Sequence, residues 1–370
     1  MPHIPFDLVA EILCRLRVKC LLRFRCVCKS WNSLIAKDLK FAKKHLCVSI
    51  TRHHLIATTY IPSKQFSVLS YPLDFLQLNS IFTTKAINHE YYSLIHPNYY
   101  RTLVTSCDGL LCFAINRQLA LLWNPSIRKL KRLPSLEFSP REHGYTTYAF
   151  GYDPFIDNYK VVFVSCYYFE YEGIHMKGCK TQVNIYTLGT HSWRRTKDFP
   201  SMIPYDESGI IVSGTVNWLA YSRVPGKLSR AIFSLDLGKE CYEEISQPNY
   251  GMPDKLTLGM MRDICLCIFS HSLSLRAFTN VWLMKEYGIK ESWVKLIRLR
   301  FPTFCDSSYF LPKIVYVSED DNHVLLLFRE DHTLNWVFYN SKNDTAKSLK
   351  IKEDLKLIES KVYVESLISP

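Results

Sequence analysis

A strand–turn–strand unit recurs along most of this chain and constrains its fold more than any other feature of the sequence. In each copy an aromatic- or aliphatic-rich strand runs into a turn, and a strand of mixed apolar and charged residues follows. The clearest copies lie at 119–134, 183–196, 231–245, 281–296 and 336–351, with a weaker sixth at 66–78. Their aromatic anchors Trp123, Tyr186, Phe233, Trp282 and Phe338 are 63, 47, 49 and 56 residues apart.

A second hairpin precedes the recurring unit in some copies. Two such hairpins are visible, at 209–221 with a turn at Ser213-Gly214 and at 313–328 with a turn at 319–322. Four strands in about 50 residues are typical of a β-propeller blade. Parallel α/β folds need helical crossovers, and no amphipathic helix pattern follows residue 46. The sequence therefore predicts a mainly β propeller of about six blades, and we expect the alternating residues 362–367 to pair with early strands near 48–60.

The first 46 residues have a different periodicity. Ile4, Leu8, Ile12 and Leu16 recur every four residues, which places them on one face of a helix. Further apolar sets at 18–27 and 31–35 predict a second and a third short helix.

Asp38 is a candidate N-cap for a fourth helix, from Leu39 to Leu46. So short a segment rarely stabilises itself, so its apolar face either packs on the rest of the chain or meets another protein. The pattern alone leaves both alternatives open.

The composition argues against several classes of protein. No run of about 18 apolar residues exists, so we expect no membrane span, and the acidic Asp7 and Glu11 do not fit a signal peptide. The 13 cysteines include no CxxC pair. We therefore expect reduced cysteines, no metal site and no cofactor. The close pairs Cys26/Cys28 and Cys265/Cys267 have the spacing of small core residues on one face of a strand.

The formal net charge is +12, and the first 50 residues hold ten Lys or Arg against three acidic residues. Because these basic residues interleave with the apolar positions, a solvated helical face that steers an acidic partner is favoured over nucleic-acid binding. The cluster Arg128, Lys129, Lys131 and Arg132 is the one basic patch of the later chain. On a strand its charges alternate between the two faces, which also weakens a nucleic-acid interpretation.

Residues 4–35, IPFDLVAEILCRLRVKCLLRFRCVCKSWNSLI, resemble the F-box, the module that docks substrate receptors onto the Skp-type adaptor of cullin-based ubiquitin ligases. Two positions depart from the family pattern. Ile4 replaces the usual Leu, and Arg17 stands where a second proline is usual, which should loosen the connection between the first two helices. The resemblance implies an adaptor-binding face formed by Ile4, Pro5, Leu8, Ile12, Leu13, Leu16, Val18, Leu21, Leu22, Val27 and Trp31.

Most of the remaining chain resembles the type 1 F-box-associated domain of plant F-box proteins, whose architecture is kelch-like. The segments that carry this resemblance are 106–113, 122–134, 150–162, 183–194, 214–221, 232–245, 258–268 and 281–296. The double glycine of true kelch repeats is absent, so "kelch" describes the shape only. The two resemblances imply an F-box at 1–46 and an F-box-associated propeller-like domain at 47–370.

The resemblances imply a non-catalytic substrate-receptor subunit of an SCF-type (Skp-cullin-F-box) ubiquitin ligase, in the cytoplasm or nucleus. Its expected partners are the Skp-type adaptor, the cullin and RING subunits reached through it, and an unknown protein substrate marked for proteasomal degradation. No membrane partner is expected. The alternative is a propeller-type binding protein for a sugar or nucleic acid without ligase association.

No motif of a known catalytic or nucleotide-binding site occurs. The dipeptides Asp108-Gly109, Asn124-Pro125 and Asp153-Pro154 are explained by turn chemistry. Substrate contacts are expected on the longer, less patterned segments 136–146, 168–181, 198–208 and 300–312. The first choice among them is 168–181, with Tyr168, Phe169, Tyr171 and His175 as the expected substrate-binding residues.

Overall fold

The structure is a computed structural model that describes most of the chain. The described residues are 4–48, 53–61, 65–73, 103–114, 119–136, 144–171, 174–200, 203–204, 208–224, 227–261, 265–272, 278–300, 313–318, 322–330, 333–349 and 356–370. The chain forms two compact units. Unit 1 comprises Met1–Ser135 and Ile358–Pro370, and unit 2 comprises Leu136–Leu357.

Four short helices open unit 1, as the sequence predicts. They are α1 (Phe6–Leu13), α2 (Val18–Phe24), α3 (Lys29–Lys37) and α4 (Leu39–Val48). The Asp38 carboxylate accepts a hydrogen bond from the Phe41 backbone amide at 2.9 Å, which confirms it as the residue that caps α4. We call residues 4–48 the helical module.

After the helical module, strands are the main elements of the described chain. In chain order they are β1 (His53–Ile61), β2 (Gln65–Pro72), β3 (Leu103–Cys107), β4 (Leu110–Ala114), β5 (Ala120–Asn124), β6 (Lys129–Arg132), β7 (Gly144–Asp153), β8 (Asn158–Tyr171), β9 (Ile174–Thr187), β10 (Arg194–Arg195), β11 (Ile203–Pro204), β12 (Ile210–Val212), β13 (Thr215–Val224), β14 (Lys227–Asp236), β15 (Tyr242–Ile245), β16 (Lys255–Met261), β17 (Cys265–Ser272), β18 (Phe278–Met284), β19 (Trp293–Arg300), β20 (Lys313–Val317), β21 (His323–Glu330), β22 (Thr333–Asn340), β23 (Thr345–Leu349) and β24 (Lys356–Val364).

The strands form six sheets, in which neighbours along the chain usually pair. The strand orders are β2–β1–β24, β3–β4–β5–β6, β7–β8–β9–β10, β11–β13–β14–β15 with β12 also on β13, β16–β17–β18–β19, and β20–β21–β22–β23. The five clear sequence units become the last two strands of five sheets, so the predicted mainly β fold with about six blades is confirmed.

The weaker sixth unit is only partly within the described residues. Residues 66–72 lie on β2, which pairs with β1, and 74–78 lie outside the described residues, so the pairing predicted within this unit stays a prediction. The predicted pairing of the C-terminal segment with an early strand is confirmed, because β24 lies beside β1. The strand is Lys356–Val364 rather than 362–367.

The C-terminal segment of unit 1 is held by two hairpin turns. The Asn124 side-chain amide donates to the backbone oxygens of Ser366 at 3.1 Å and Ile368 at 2.7 Å. Gly109 has φ +79°, and a Cβ on it would lie 2.4 Å from the Ser366 hydroxyl oxygen. The Asp108-Gly109 and Asn124-Pro125 turns therefore also contact residues 364–368 and hold them in place. Local turn chemistry does not predict this long-range contact.

A buried ion pair in unit 2 fixes the turn between β7 and β8. Asp153 is fully buried and Lys160 nearly so, and their Oδ2 and Nζ atoms are 2.7 Å apart. Lys160 also donates to the Leu237 backbone oxygen, and Glu240 lies 3.7 Å from it. The other Asp153 oxygen accepts the Phe155 amide at 2.9 Å. Turn chemistry predicted the Phe155 contact, but not the ion pair.

Among the described residues, no helix is long and apolar enough to cross a membrane.

Candidate functional site

Seven apolar side chains of the helical module are buried, which decides what remains on its surface. They are Leu13, Cys14, Val18, Leu21, Ile35, Phe41 and Ala42. Helix α1 begins after Pro5, whose φ of −55° and ψ of 140° give it the extended backbone of an N-cap. Its backbone oxygen accepts the Leu8 amide at 3.0 Å and the Val9 amide at 3.2 Å. Pro5 therefore starts the helix through its backbone alone.

Two contacts tie α4 to the first helix and to the connection after it. Lys44 pairs with Glu11 at the surface, and this hydrogen bond lowers the pKa of Glu11. The buried His45 bonds through Nε2 to the Leu16 backbone oxygen at 2.8 Å, so Nε2 carries the proton. Burial lowers the pKa of His45, which keeps it neutral near pH 7. The order of the α1–α2 connection thus depends on α4.

An apolar strip remains exposed on the first helix and just before it. Ile4, Leu8 and Ile12 are 63%, 54% and 58% exposed. Leu8 and Ile12 are four residues apart on one face of α1, and Ile4 lies just before the helix, next to its N-cap Pro5. Pro5 is also exposed. We call Ile4, Pro5, Leu8 and Ile12 the apolar strip. Large side chains grouped in this way on a soluble surface mark a site of protein interaction.

The structure divides the predicted adaptor-binding residues into three groups. The four residues of the apolar strip are exposed, together with Val27 in the α2–α3 connection; Leu16, Leu22 and Trp31 are half-buried, and Leu13, Val18 and Leu21 are buried. The buried three are not accessible to a partner in this structure. Phe6 is also 46% exposed, and sequence analysis missed it because it lies outside the four-residue series.

Arg17 is the N-cap of α2, with φ −63° and ψ 145°. This φ is the value that a proline ring imposes. Among the described residues no backbone hydrogen bond has the Arg17 amide as its donor. The backbone here is therefore compatible with the proline that the family usually has, although the residue is arginine.

The interpretation of Cys26 and Cys28 as core residues of a strand is wrong. Both are exposed in the connection between α2 and α3, where the helical spacing ends and the spacing of a strand has no meaning. Hydrogen bonds from the Ser30 hydroxyl and the Trp31 and Ser30 amides lower the pKa of Cys28. The interpretation of Cys265 and Cys267 as strand residues is confirmed, since both lie on β17. Cys267 is fully buried, and Cys265 is half-buried.

The net charge of the chain is carried entirely by unit 1. Residues 1–135 and 358–370 contain 20 Lys or Arg against 8 Asp or Glu, whereas residues 136–357 contain 26 of each. The helical module accounts for much of this excess. The charge of unit 1 is thus complementary to an acidic partner. Unit 2 has no net charge, so its overall charge favours neither acidic nor basic partners.

The segment 168–181 is not the irregular loop that its sequence suggested. Tyr168, Phe169 and Tyr171 lie on β8 and His175 lies on β9. Two strands of 14 residues form this hairpin, and Tyr168 pairs with Cys179 across it. Its many β-branched and aromatic residues favour pairing over irregular structure. The side chains of the four predicted residues lie outside what the structure describes, so their substrate-binding role stays a prediction.

In the part of the chain that the structure describes, no group of three or more His, Cys, Asp or Glu side chains is placed to hold a metal ion.

Comparison with known families agrees with this arrangement of helices and sheets. The family model described as "F-box associated beta propeller domain" matches residues 59–370, and the F-box domain model matches residues 1–43. The chain belongs to the F-box protein family. The exposed apolar strip and the buried apolar residues of the helical module lie within the residues matched as an F-box.

Relatives of the same kind match along the whole chain. An F-box/kelch-repeat protein of Arabidopsis thaliana is 33% identical over 381 residues, covering 100% of this chain and 96% of that protein. The F-box protein CPR1 of the same plant is 27% identical, covering 100% and 89%. The chain is also similar to a solved nidogen/laminin complex, with a TM-score of 0.46, 11% identity and coverage of 85% and 99%.

Proposed function

We propose that the chain is the substrate-receptor subunit of an SCF-type ubiquitin ligase. In this role the F-box at 1–46 binds a Skp-type adaptor, and through it the cullin and RING subunits. The domain at 47–370 binds a protein substrate in the cytoplasm or nucleus. The chain itself is non-catalytic. It acts by holding the substrate near the conjugating enzyme, which raises the effective concentration of substrate lysines and leads to proteasomal degradation.

The observation that carries the proposal is the exposed apolar strip within the F-box match. Ile4, Leu8 and Ile12 are more than half exposed although the chain has enough apolar residues to build several cores. Full burial of such a side chain contributes about 1.5 to 3 kcal/mol, so covering the exposed half of each would contribute about 1 kcal/mol per residue. A basic surround adds attraction to an acidic partner.

The test is co-purification with the Skp-type adaptor, comparing wild type with Leu8→Asp plus Ile12→Asp. Both side chains are exposed, so the variant should stay folded. Adaptor binding would bury the two new carboxylates, so the affinity for the adaptor should fall by about 100-fold or more. The matched control is Phe155→Asp plus Ile156→Asp, the same change at two exposed apolar residues of unit 2, which should bind normally. Failure of wild type to bind, or equal binding by all three proteins, would refute the proposal.

The β8–β9 hairpin is the proposed substrate-binding segment. Replacing 168–179 by Asn-Gly keeps the Tyr167–Lys180 pair and closes the strands with a favoured two-residue turn. We expect this variant to bind the adaptor normally. In a reconstituted reaction it should fail to support ubiquitination of the proteins that are modified with wild type. An unchanged set of ubiquitinated proteins would exclude the hairpin from recognition.

A further inference from the structure

The basic cluster at 128–132 lies at the free edge of a sheet. Strand β6 is the last strand in the order β3–β4–β5–β6. Arg128, Lys129 and Arg132 are exposed and Lys131 is half-buried. We call these four residues the basic edge. A sheet edge carries unpaired backbone donors and acceptors, and it can therefore accept a further strand.

None of the four cations is neutralised within the described chain. Lys129 donates to the Ser369 hydroxyl at 3.2 Å, a neutral acceptor, and no ion pair of the described residues includes any member of the basic edge. The outermost strand of the β7–β10 sheet differs. There Arg194 pairs with Glu240 and Arg195 with Asp198. The basic edge keeps its full charge for an external anion.

The backbone pairing shows which groups point outward. Leu133 donates to the Ala120 oxygen at 3.0 Å, and the register continues with Arg132 opposite Leu121 and Leu130 opposite Trp123. Hydrogen-bonded and non-hydrogen-bonded pairs alternate in an antiparallel ladder. The N–H and C=O groups of Leu130 and Arg132 therefore point away from β5, toward the free edge.

We propose that the basic edge binds an acidic, extended segment of a partner protein as an added fifth strand. Outward backbone groups would supply the pairing, and alternate acidic side chains would lie opposite the cations.

The alternation of the charges favours this partner over nucleic acid. On β6, Lys129 and Lys131 lie on one face of the strand and Arg132 lies on the other, while Arg128 is in the turn just before the strand, with φ +56°. An added strand presents its side chains to both faces in the same way, whereas a phosphate backbone laid on the sheet reaches one face. A second copy of β6 would bring like charges together, which repels it. The adaptor-binding proposal is not required for this inference.

The test uses fluorescence anisotropy with a labelled peptide of alternating Glu and Thr, about eight residues long to match a common strand. Wild-type protein should bind it. The variant Arg128→Gln, Lys129→Gln, Lys131→Gln and Arg132→Gln should bind about tenfold more weakly or worse, because it loses the opposing charges. The matched control is Lys285→Gln, Lys290→Gln, Lys295→Gln and Lys342→Gln, at four exposed lysines, and it should bind as wild type does.

Two further probes of the wild-type protein separate strand pairing from charge alone. The same peptide with N-methyl groups on all its backbone nitrogens keeps its charge but has no backbone donor on either edge, and it should lose at least about tenfold in affinity. A single-stranded oligodeoxynucleotide of equal charge should compete weakly. Equal binding of the N-methylated peptide, stronger competition by the oligonucleotide, or no binding of the peptide would each overturn the proposal.

Discussion

Lys160→Met is expected to lower the free energy of unfolding by about 3 to 5 kcal/mol, because it leaves a buried carboxylate without its counter-ion. Asp153 is fully buried and lies 2.7 Å from the Lys160 ammonium. Its other oxygen accepts one backbone hydrogen bond, from Phe155, which cannot replace the lost positive charge. Methionine nearly matches the lysine stem in shape, so packing should change little and the cost should come from the charge.

A double-mutant cycle separates this cost from other effects of the substitution. Asp153→Asn combined with Lys160→Met removes both charges, and asparagine can still accept the Phe155 hydrogen bond. The double variant should therefore be about 2 kcal/mol more stable than the sum of the single changes predicts. Lys239→Met, on the exposed β14–β15 turn, is the matched control and should shift stability by no more than about 0.5 kcal/mol.

Urea unfolding followed by tryptophan fluorescence measures these changes, with stability obtained by linear extrapolation. The buried Trp218 lies in the same unit as the ion pair, so its emission reports on the relevant transition. A loss below about 1 kcal/mol for Lys160→Met, or additive single effects, would show that water or other groups solvate Asp153 and that the ion pair does not set its environment.

Three further predictions follow from single backbone or side-chain features. Arg17→Pro fits the observed φ of −63° and should raise stability by about 0.4 to 1 kcal/mol, seen as a higher melting temperature; a lower one would show that Leu16 cannot precede proline there. Burial lowers the pKa of His271 to about 3. The unfolded chain, with a histidine pKa near 6.5, therefore binds this proton first as pH falls. The contribution of His271 is complete above about pH 6.5 and should be about 2 kcal/mol smaller at pH 5. His271→Gln should flatten this part of the pH profile of the urea midpoint, and an identical profile would contradict it. Gly109→Ala should cost about 1 to 3 kcal/mol through its φ of +79° and its clash with Ser366. Gly189→Ala, with φ +91° in open space, isolates the strain alone, and equal losses in chemical denaturation would rule out the clash.

Local pattern was enough to predict most of the elements. The four-residue spacing from Ile4 to Leu16 predicted a helix here, and Leu8 and Ile12 do lie on α1, although the helix ends before Leu16 and begins after Ile4. The carboxylate of Asp38 caps α4 as predicted. Hairpins with a short, recognisable turn were placed in register, as at Ser213-Gly214, where Val212 pairs with Thr215. These features depend on neighbours in sequence, so periodicity and turn chemistry contain the information.

Features that depend on distant residues were not predictable in the same way. Asn124 is explained locally by its bond to the Ser126 amide at 2.8 Å, yet its amide group holds the chain 242 residues later. The ion pair between Lys160 and Asp153 could not be predicted, because strand spacing alone does not show which face of a sheet is buried by other parts of the chain. For 168–181, the lack of a clear apolar pattern suggested a loop, whereas the segment forms part of two long paired strands.

The charge difference between the two units has a kinetic consequence. A rate of association between oppositely charged proteins rises with long-range attraction and falls steeply with ionic strength. Unit 1, with all of the +12 charge, should therefore capture an acidic partner quickly at low salt. The neutral unit 2 gains no such acceleration, so its encounters should depend little on salt. Assembly and recognition in one chain would then respond differently to the same change in ionic conditions.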